Sequence, residues 1–369
     1  MKRIVSWGTL CVVILFALPV QASVGYKDGF YLKSDDENFQ LTIRGGVTPR
    51  LEFTDSTTEE PKLGFRLRTA YVSFKATMYE KLKFTIKLAH STQSANFRTV
   101  NISGGAITYT FRPEFELSVG FVGLPLGMEE NQVLPEPPVT VTQYDTATQL
   151  TVTRASFGNP AGLGVDLAGE VGRFFYDVAA INSNEDQYTF NDSYKFSYGA
   201  KAGVNILQET PSLAASAGIN YSGKRTDDPD AFNNNPPVID WIVQTSTGLL
   251  FTWKRFAVGS DVYWRWTDFQ SFGALPVELR EARLTDFGYH IVPSFYLLPE
   301  KLQVAVQVGQ IFREGADNNA NQFGGGLNWF IVKGLKAQVA YFWTEDYDNI
   351  SGANNDNHHR ALIQLEAKF

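Results

Sequence analysis

Cysteine is almost missing from this chain. Of 369 residues only Cys11 is one, and it lies inside an apolar run near the N-terminus. With that run set aside as a leader, the remainder has no disulfide, no thiol nucleophile and no cysteine-held metal. Histidine is nearly as scarce, with four copies. The adjacent pair His358-His359 lacks a third ligand nearby, so neither a metal centre nor another cofactor is expected. Positive charge is also in deficit, at 32 Lys and Arg against 39 Asp and Glu, which argues against a nucleic-acid partner. Past the N-terminal run no apolar stretch approaches the length of a membrane helix, and mean hydropathy is −0.17. That excludes a helical membrane protein and leaves a membrane β-barrel, whose alternation dilutes the hydropathy signal. The run Gly324-Gly325-Gly326 lacks the strand–loop–helix setting of a phosphate cradle. His290 and Ser294 share a strand face, but four residues of strand span about 13 Å, too far for a nucleophile and its base. No catalytic residue is named, and the chain is not read as an enzyme.

What is present begins with Lys2 and Arg3, an apolar run from Trp7 to Val20, and the tripeptide Val20-Gln21-Ala22. These are the basic, apolar and small-residue parts of a secretory signal, and the run is too short to span a bilayer. Cleavage is expected after Ala22. Residues 1–22 then form the signal peptide, 23–38 a short periplasmic segment, and 39–369 a barrel. Without Lys2 and Arg3 the chain holds 30 basic residues against 39 acidic ones, a net charge of −9.

The barrel reading rests on period-two alternation. In the last eleven residues Ala361, Ile363, Leu365, Ala367 and Phe369 share one face, while Arg360, Gln364, Glu366 and Lys368 share the other, with Leu362 the exception. A strand built for two different solvents suits lipid on one side and a watery lumen on the other. The pattern recurs in Phe39–Phe53, Leu63–Met78, Leu82–Ala89, Ala106–Phe111, Phe115–Val122, Leu163–Val171, Phe174–Ile181, Tyr194–Leu207 and Leu213–Ser222. It continues through Ile239–Trp253, Phe256–Thr267, Leu284–Leu297, Leu302–Phe312, Gln322–Val332, Leu335–Thr344 and Arg360–Phe369. The apolar set of the second strand changes sides near Thr69, where a bulge or register adjustment is expected. Short connections such as Gly172-Arg173, Lys254-Arg255 and Lys333-Gly334 alternate with long polar ones such as 186–193, 224–237 and 345–358. The fold class is therefore all-β: a transmembrane antiparallel barrel of about sixteen strands, with short periplasmic turns and long outer loops. Aromatics near strand ends, among them Phe39, Phe53, Trp241, Trp253, Trp264, Trp266, Tyr341 and Trp343, suit the interfacial belts.

The chain resembles the phosphate-selective (O/P type) porins of Gram-negative outer membranes. The matching segments are Asp28-Gly29-Phe30 followed by Phe39-Gln40-Leu41-Thr42-Ile43-Arg44-Gly45-Gly46, and Phe65-Arg66-Leu67-Arg68-Thr69-Ala70. They continue with Gly120-Phe121-Val122-Gly123-Leu124-Pro125-Leu126-Gly127-Met128-Glu129, Gly326-Leu327-Asn328-Trp329-Phe330 and the terminal strand. The resemblance implies a homotrimer of sixteen-stranded barrels in the outer membrane, set in lipid, with the third outer loop folded inward. That loop would be residues 124–162. Two departures bear on selectivity: Gly123 stands where the family has a lysine, and 124–162 contains no lysine and only Arg154.

Parity places a basic stripe in the lumen: Arg44, Arg50, Arg66, Arg68, Lys83 and Lys87 on the first three strands, joined by Arg360 on the last. Guanidinium donors match phosphate or carboxylate oxygens in pairs. The competing reading is ion pairing with Glu52 or with loop acids. The loop acids Glu129, Glu130, Glu136 and Asp145 would face the stripe and set a transverse field across the constriction. Asp261 and Arg265 read as a wall ion pair. The expected function is passive diffusion of small hydrophilic solutes with anion preference, phosphate being the narrower option. A non-conducting barrel serving as an adhesin or structural protein is the alternative.

Overall fold

The computed structural model describes residues 22–27, 29–57, 60–91, 101–128, 161–182, 196–223, 239–269, 283–313, 320–345 and 357–369. Two short strands, β1 (Ala22–Tyr26) and β2 (Phe30–Ser34), lead into sixteen longer ones. These are β3 (Phe39–Ser56), β4 (Lys62–Met78), β5 (Leu82–Ser91), β6 (Asn101–Arg112), β7 (Phe115–Gly123), β8 (Ala161–Val171), β9 (Phe174–Asn182) and β10 (Phe196–Leu207). They continue as β11 (Ser212–Gly223), β12 (Ile239–Trp253), β13 (Phe256–Phe269), β14 (Arg283–Leu298), β15 (Leu302–Arg313), β16 (Ala320–Val332), β17 (Leu335–Glu345) and β18 (His358–Lys368). Each of β3 to β18 pairs antiparallel with the next, and β18 pairs back onto β3 from His358↔Ser56 to Lys368↔Gly46. The sheet is a closed ring of sixteen strands. Closure leaves the ring without a free edge, the condition a sheet must meet in lipid.

Alternation decides which way each side chain points. Phe39, Val47, Phe53, Ile86, Ile107, Val119, Val178, Leu249, Val306, Val339 and Ile363 are outward and exposed. Their neighbours in sequence, Thr42, Thr48, Gln244, Ser246, Gln303, Asn328, Gln338 and Gln364, are inward and buried. The short turns all lie at one end of the ring. Two-residue turns need left-handed backbone, which Gly172 (φ 63°) and Gly334 (φ 83°) supply without steric cost. The connections at the other end fall wholly or partly outside the described residues.

Two details differ from the sequence reading. Residues 23–38, expected as a plain segment, contain most of a β-hairpin. β2 pairs with β3 from Phe30↔Ile43 to Lys33↔Gln40, on the same edge that β18 occupies higher up. Gly45 and Phe369 exchange backbone hydrogen bonds of 2.9 Å in each direction, and the rings of Phe30 and Phe369 lie 5.9 Å apart. β2 thus carries on the line of β18 beyond Phe369. The second difference follows from the bulge in β4, which lies where one was expected, near Thr69, and changes the placing of one arginine. Thr48 pairs with Thr69 and Pro49 with Leu67, so Arg68 is the extra residue of a bulge. Arg66 stays opposite Arg50 on the lumen face, but the alternation that grouped Arg68 with it breaks there.

Candidate functional site

The lumen wall is the candidate site, and its seam is built around one carboxylate. Glu52 on β3 is 5% exposed and accepts from three arginines on three neighbouring strands. Arg360 Nε donates to Oε1 at 2.7 Å; Arg50 Nη1 and Arg66 Nη1 donate to Oε2 at 3.5 and 3.4 Å. Arg50 also donates from Nη2 and Nε to Gln364 Oε1, at 2.7 and 3.2 Å. From there a row of amides runs round the wall: Gln364 donates to Gln338 (2.5 Å), Gln338 to Asn328 (2.6 Å) and Asn328 to Gln303 (3.1 Å). Each amide both donates and accepts, so burial leaves few of these polar groups unsatisfied. Above this row Leu362, the exception to alternation, packs inward with Ala305, Ala340 and Phe342.

The structure therefore brings Arg50, Arg66 and Arg360 together, but onto an acid. Lys83 is also taken, by Glu116 at 2.7 Å, which accepts from Thr110 as well at 2.6 Å. Arg44 and Lys87 face the lumen through their shared partner Ser73 and are exposed. Lys75 belongs with them and was missed, although the flanking outward residues Phe74 and Ala76 already gave its direction. Arg265 pairs with Asp286, not with Asp261: its Nε and Nη2 reach Asp286 Oδ2 at 3.1 and 2.7 Å. Asp261 instead faces His290 at 3.4 Å.

A second charged zone lies on β7 to β10. Register places Glu116, Asp166, Glu170, Asp177 and Lys201 on the lumen face, with Lys201 directly opposite Asp177. Glu116, Glu170, Asp177 and Lys201 line a cavity of about 520 Å³ with Phe175 and Met128. Among the described residues, the wall itself thus carries acidic groups on its lumen face. The expected loop acids Glu129, Glu130, Glu136 and Asp145 lie outside the described residues.

The first five residues after β7 turn into the barrel. Leu124 packs with Val122, Ala179 and Ile181, and Leu126 with Tyr263 and Ile311. Gly127 N–H donates to Ser246 Oγ at 2.8 Å and Met128 N–H to Asp261 Oδ1 at 2.7 Å. This path needs bare backbone beneath it. A Cβ on Gly199 would come within 2.8 Å of Pro125, and one on Gly248 would overlap Met128 and Asp261. A glycine inside a strand otherwise only weakens it.

No protein-family model matches this chain, and no curated sequence matches it. By structure it is similar to an anion-selective porin from Comamonas acidovorans (TM-score 0.68, 11% identity, covering 90% of this chain and 100% of that one). It is likewise similar to the outer membrane channel DcaP of Acinetobacter baumannii (TM-score 0.62, 13% identity, 92% and 99% covered). A third similar structure is the trimer form of OmpT, an outer membrane protein of Vibrio cholerae (TM-score 0.58, 11% identity, 90% and 99% covered). What this chain shares with all three is the fold, a closed antiparallel β-barrel.

Proposed function

We propose that this chain is an outer-membrane porin of a Gram-negative bacterium, through which small hydrophilic solutes diffuse passively. The observation that carries the reading is the closed ring itself, mainly apolar on its described outer face and mainly polar or charged on its inner one. Sixteen strands enclose room for an aqueous channel. In this reading residues 1–22 are removed on export, the short turns face the periplasm, and loop 124–162 narrows the lumen from the wall position that residues 124–128 begin. Assembly as a homotrimer is proposed from the resemblance and from the trimer form of the Vibrio cholerae protein.

Anion preference is the favoured selectivity. Its support is the exposed basic surface of β3 to β5, where Arg44, Lys75 and Lys87 face the lumen. The seam arginines contribute less, since Glu52 offsets one of their charges. The lumen then has a basic side and, on β7 to β9, an acidic side, an arrangement that orients dipolar solutes and suits general diffusion. Reversal potential in a KCl gradient tests this: a shift toward the chloride potential supports the reading, and one toward the potassium potential refutes the anion preference.

A further inference from the structure

The cavity beside β7 to β10 has two kinds of wall. One is a cross-strand row on the lumen face, in which Glu116, Ala168, Asp177 and Lys201 follow one another from β7 to β10. In the next row toward the short turns, Phe175 stands between Glu170 and Gly203. A Cβ on Gly203 would overlap the Phe175 ring, so the ring lies across bare backbone of β10. Ala214 and Leu250, partners on β11 and β12, extend this apolar floor. Met128 completes it, fixed by its N–H bond to Asp261 at 2.7 Å. The enclosed volume of about 520 Å³ falls in the range of pockets that hold small organic molecules.

The charges around this floor are not used up within the fold. Glu116 is taken by Lys83 at 2.7 Å and by Thr110 at 2.6 Å. Among the described residues, however, Asp177, Glu170 and Lys201 form no ion pair. Oδ1 of Asp177 and Oδ1 of Asp166, in the row beyond, are each buried without a hydrogen-bond donor, so this side stays acidic. Lys201 stands directly opposite Asp177, and the Cβ atoms of such partners lie about 5 Å apart. Both signs of charge are therefore offered side by side above an apolar floor. A solute need not break an ion pair to reach either.

We propose that this cavity binds a zwitterion with an apolar side chain, such as an apolar α-amino acid. Asp177 and Glu170 take its ammonium, Lys201 takes its carboxylate, and Phe175, Leu250 and Met128 receive its side chain. A simple amine would leave Lys201 facing a like charge, and a simple anion would meet Asp166, Asp177 and Glu170 with nothing to offset them. A solute with both charges satisfies both signs, and its side chain adds apolar burial. The cavity lies on β7 to β12, apart from the basic surface of β3 to β5 and from the seam at Glu52. The proposal rests on the reading of the lumen as open to solute.

The test is equilibrium dialysis of labelled leucine against the full-length barrel in detergent, run beside single-channel recording of the same preparation. Wild type should bind leucine. Competition should be roughly tenfold weaker, or worse, for 4-methylpentanoate, which lacks the ammonium, and for 3-methylbutylamine, which lacks the carboxylate. Glycine, without the side chain, should compete as poorly. Asp177→Asn and Lys201→Gln should each weaken leucine binding roughly tenfold. Asp177→Asn should also weaken 3-methylbutylamine while Lys201→Gln should not, a pattern that misfolding cannot produce. Lys201→Arg should retain binding. No binding by wild type, equal competition by 4-methylpentanoate, or unchanged leucine binding in both variants overturns the site. Leucine binding by a barrel that shows no conductance supports the site and refutes the pore reading; conductance without binding does the reverse.

Discussion

Replacing Glu52 with Gln removes the charge on which three arginines converge while keeping side-chain size. Arg50 and Arg360 are 1% and 12% exposed at their contacts with Glu52, and Arg66 is 46% exposed. Removing one partner of a buried pair costs about 3–5 kcal/mol, because the other charge stays buried without compensation. Arg50 softens this by keeping both bonds to Gln364. The half-exposed Arg66 adds no more than about 1 kcal/mol. The net expectation is a loss of about 2–4 kcal/mol, read by urea unfolding in lipid vesicles through tryptophan fluorescence. Arg66→Gln alone should cost under about 1 kcal/mol in the same assay. The lumen would also gain one positive charge, so the chloride preference of the open channel should rise. A stability change below about 1 kcal/mol for Glu52→Gln, or a shift toward potassium, would show that Glu52 does not organise the seam.

Three further outcomes are expected. Gly248→Val should collide with Met128 and Asp261, costing about 1–3 kcal/mol by overpacking and raising conductance as residues 127–128 leave the wall; an unchanged conductance would place them away from the solute path. Phe30→Ser removes ring contacts at 5.3 Å to Tyr26 and 5.9 Å to Phe369, so it should lower stability by about 1–2 kcal/mol with conductance unaltered. Asp36, in the turn between β2 and β3, is held below its ordinary value of 3.8 by hydrogen bonds from Ser34 and Asn38. A depressed carboxylate stabilises the folded turn above its unfolded value, and that contribution is lost as pH falls through the folded one. The protection of the hairpin amides, taken relative to their intrinsic exchange rate at each pH, should therefore fall below about pH 4 in wild type and show no such step in Asp36→Asn.

The strands of the ring were legible because each had to satisfy lipid and water at once, which writes a period of two into the sequence over eight or more residues. β1 and β2, five residues each, are too short to print that period. That β2 continues the line of β18 depends on the register of both strands on β3, a distant fact. Likewise parity put Arg50, Arg66, Arg360 and Glu52 on one face but could not say that three strands aim their arginines at one acid. That requires the register of β18 on β3 and of β3 on β4. Arg68 shows the limit of parity directly, since one bulge residue cancels it. Lys75 shows the opposite case, a residue whose direction was readable and overlooked. The inward path of 124–128 was expected from resemblance, while the glycines beneath it gained a meaning only from the chain that crosses them.

The central claim is that the ring encloses an open aqueous path. Single-channel recording of the purified full-length protein in a planar bilayer tests it most directly. The account predicts discrete, long-lived conductance steps in KCl with a reversal potential on the chloride side. A barrel that inserts, shown by its resistance to unfolding in lipid, yet carries no current would contradict it and mark the protein as a closed, non-conducting barrel.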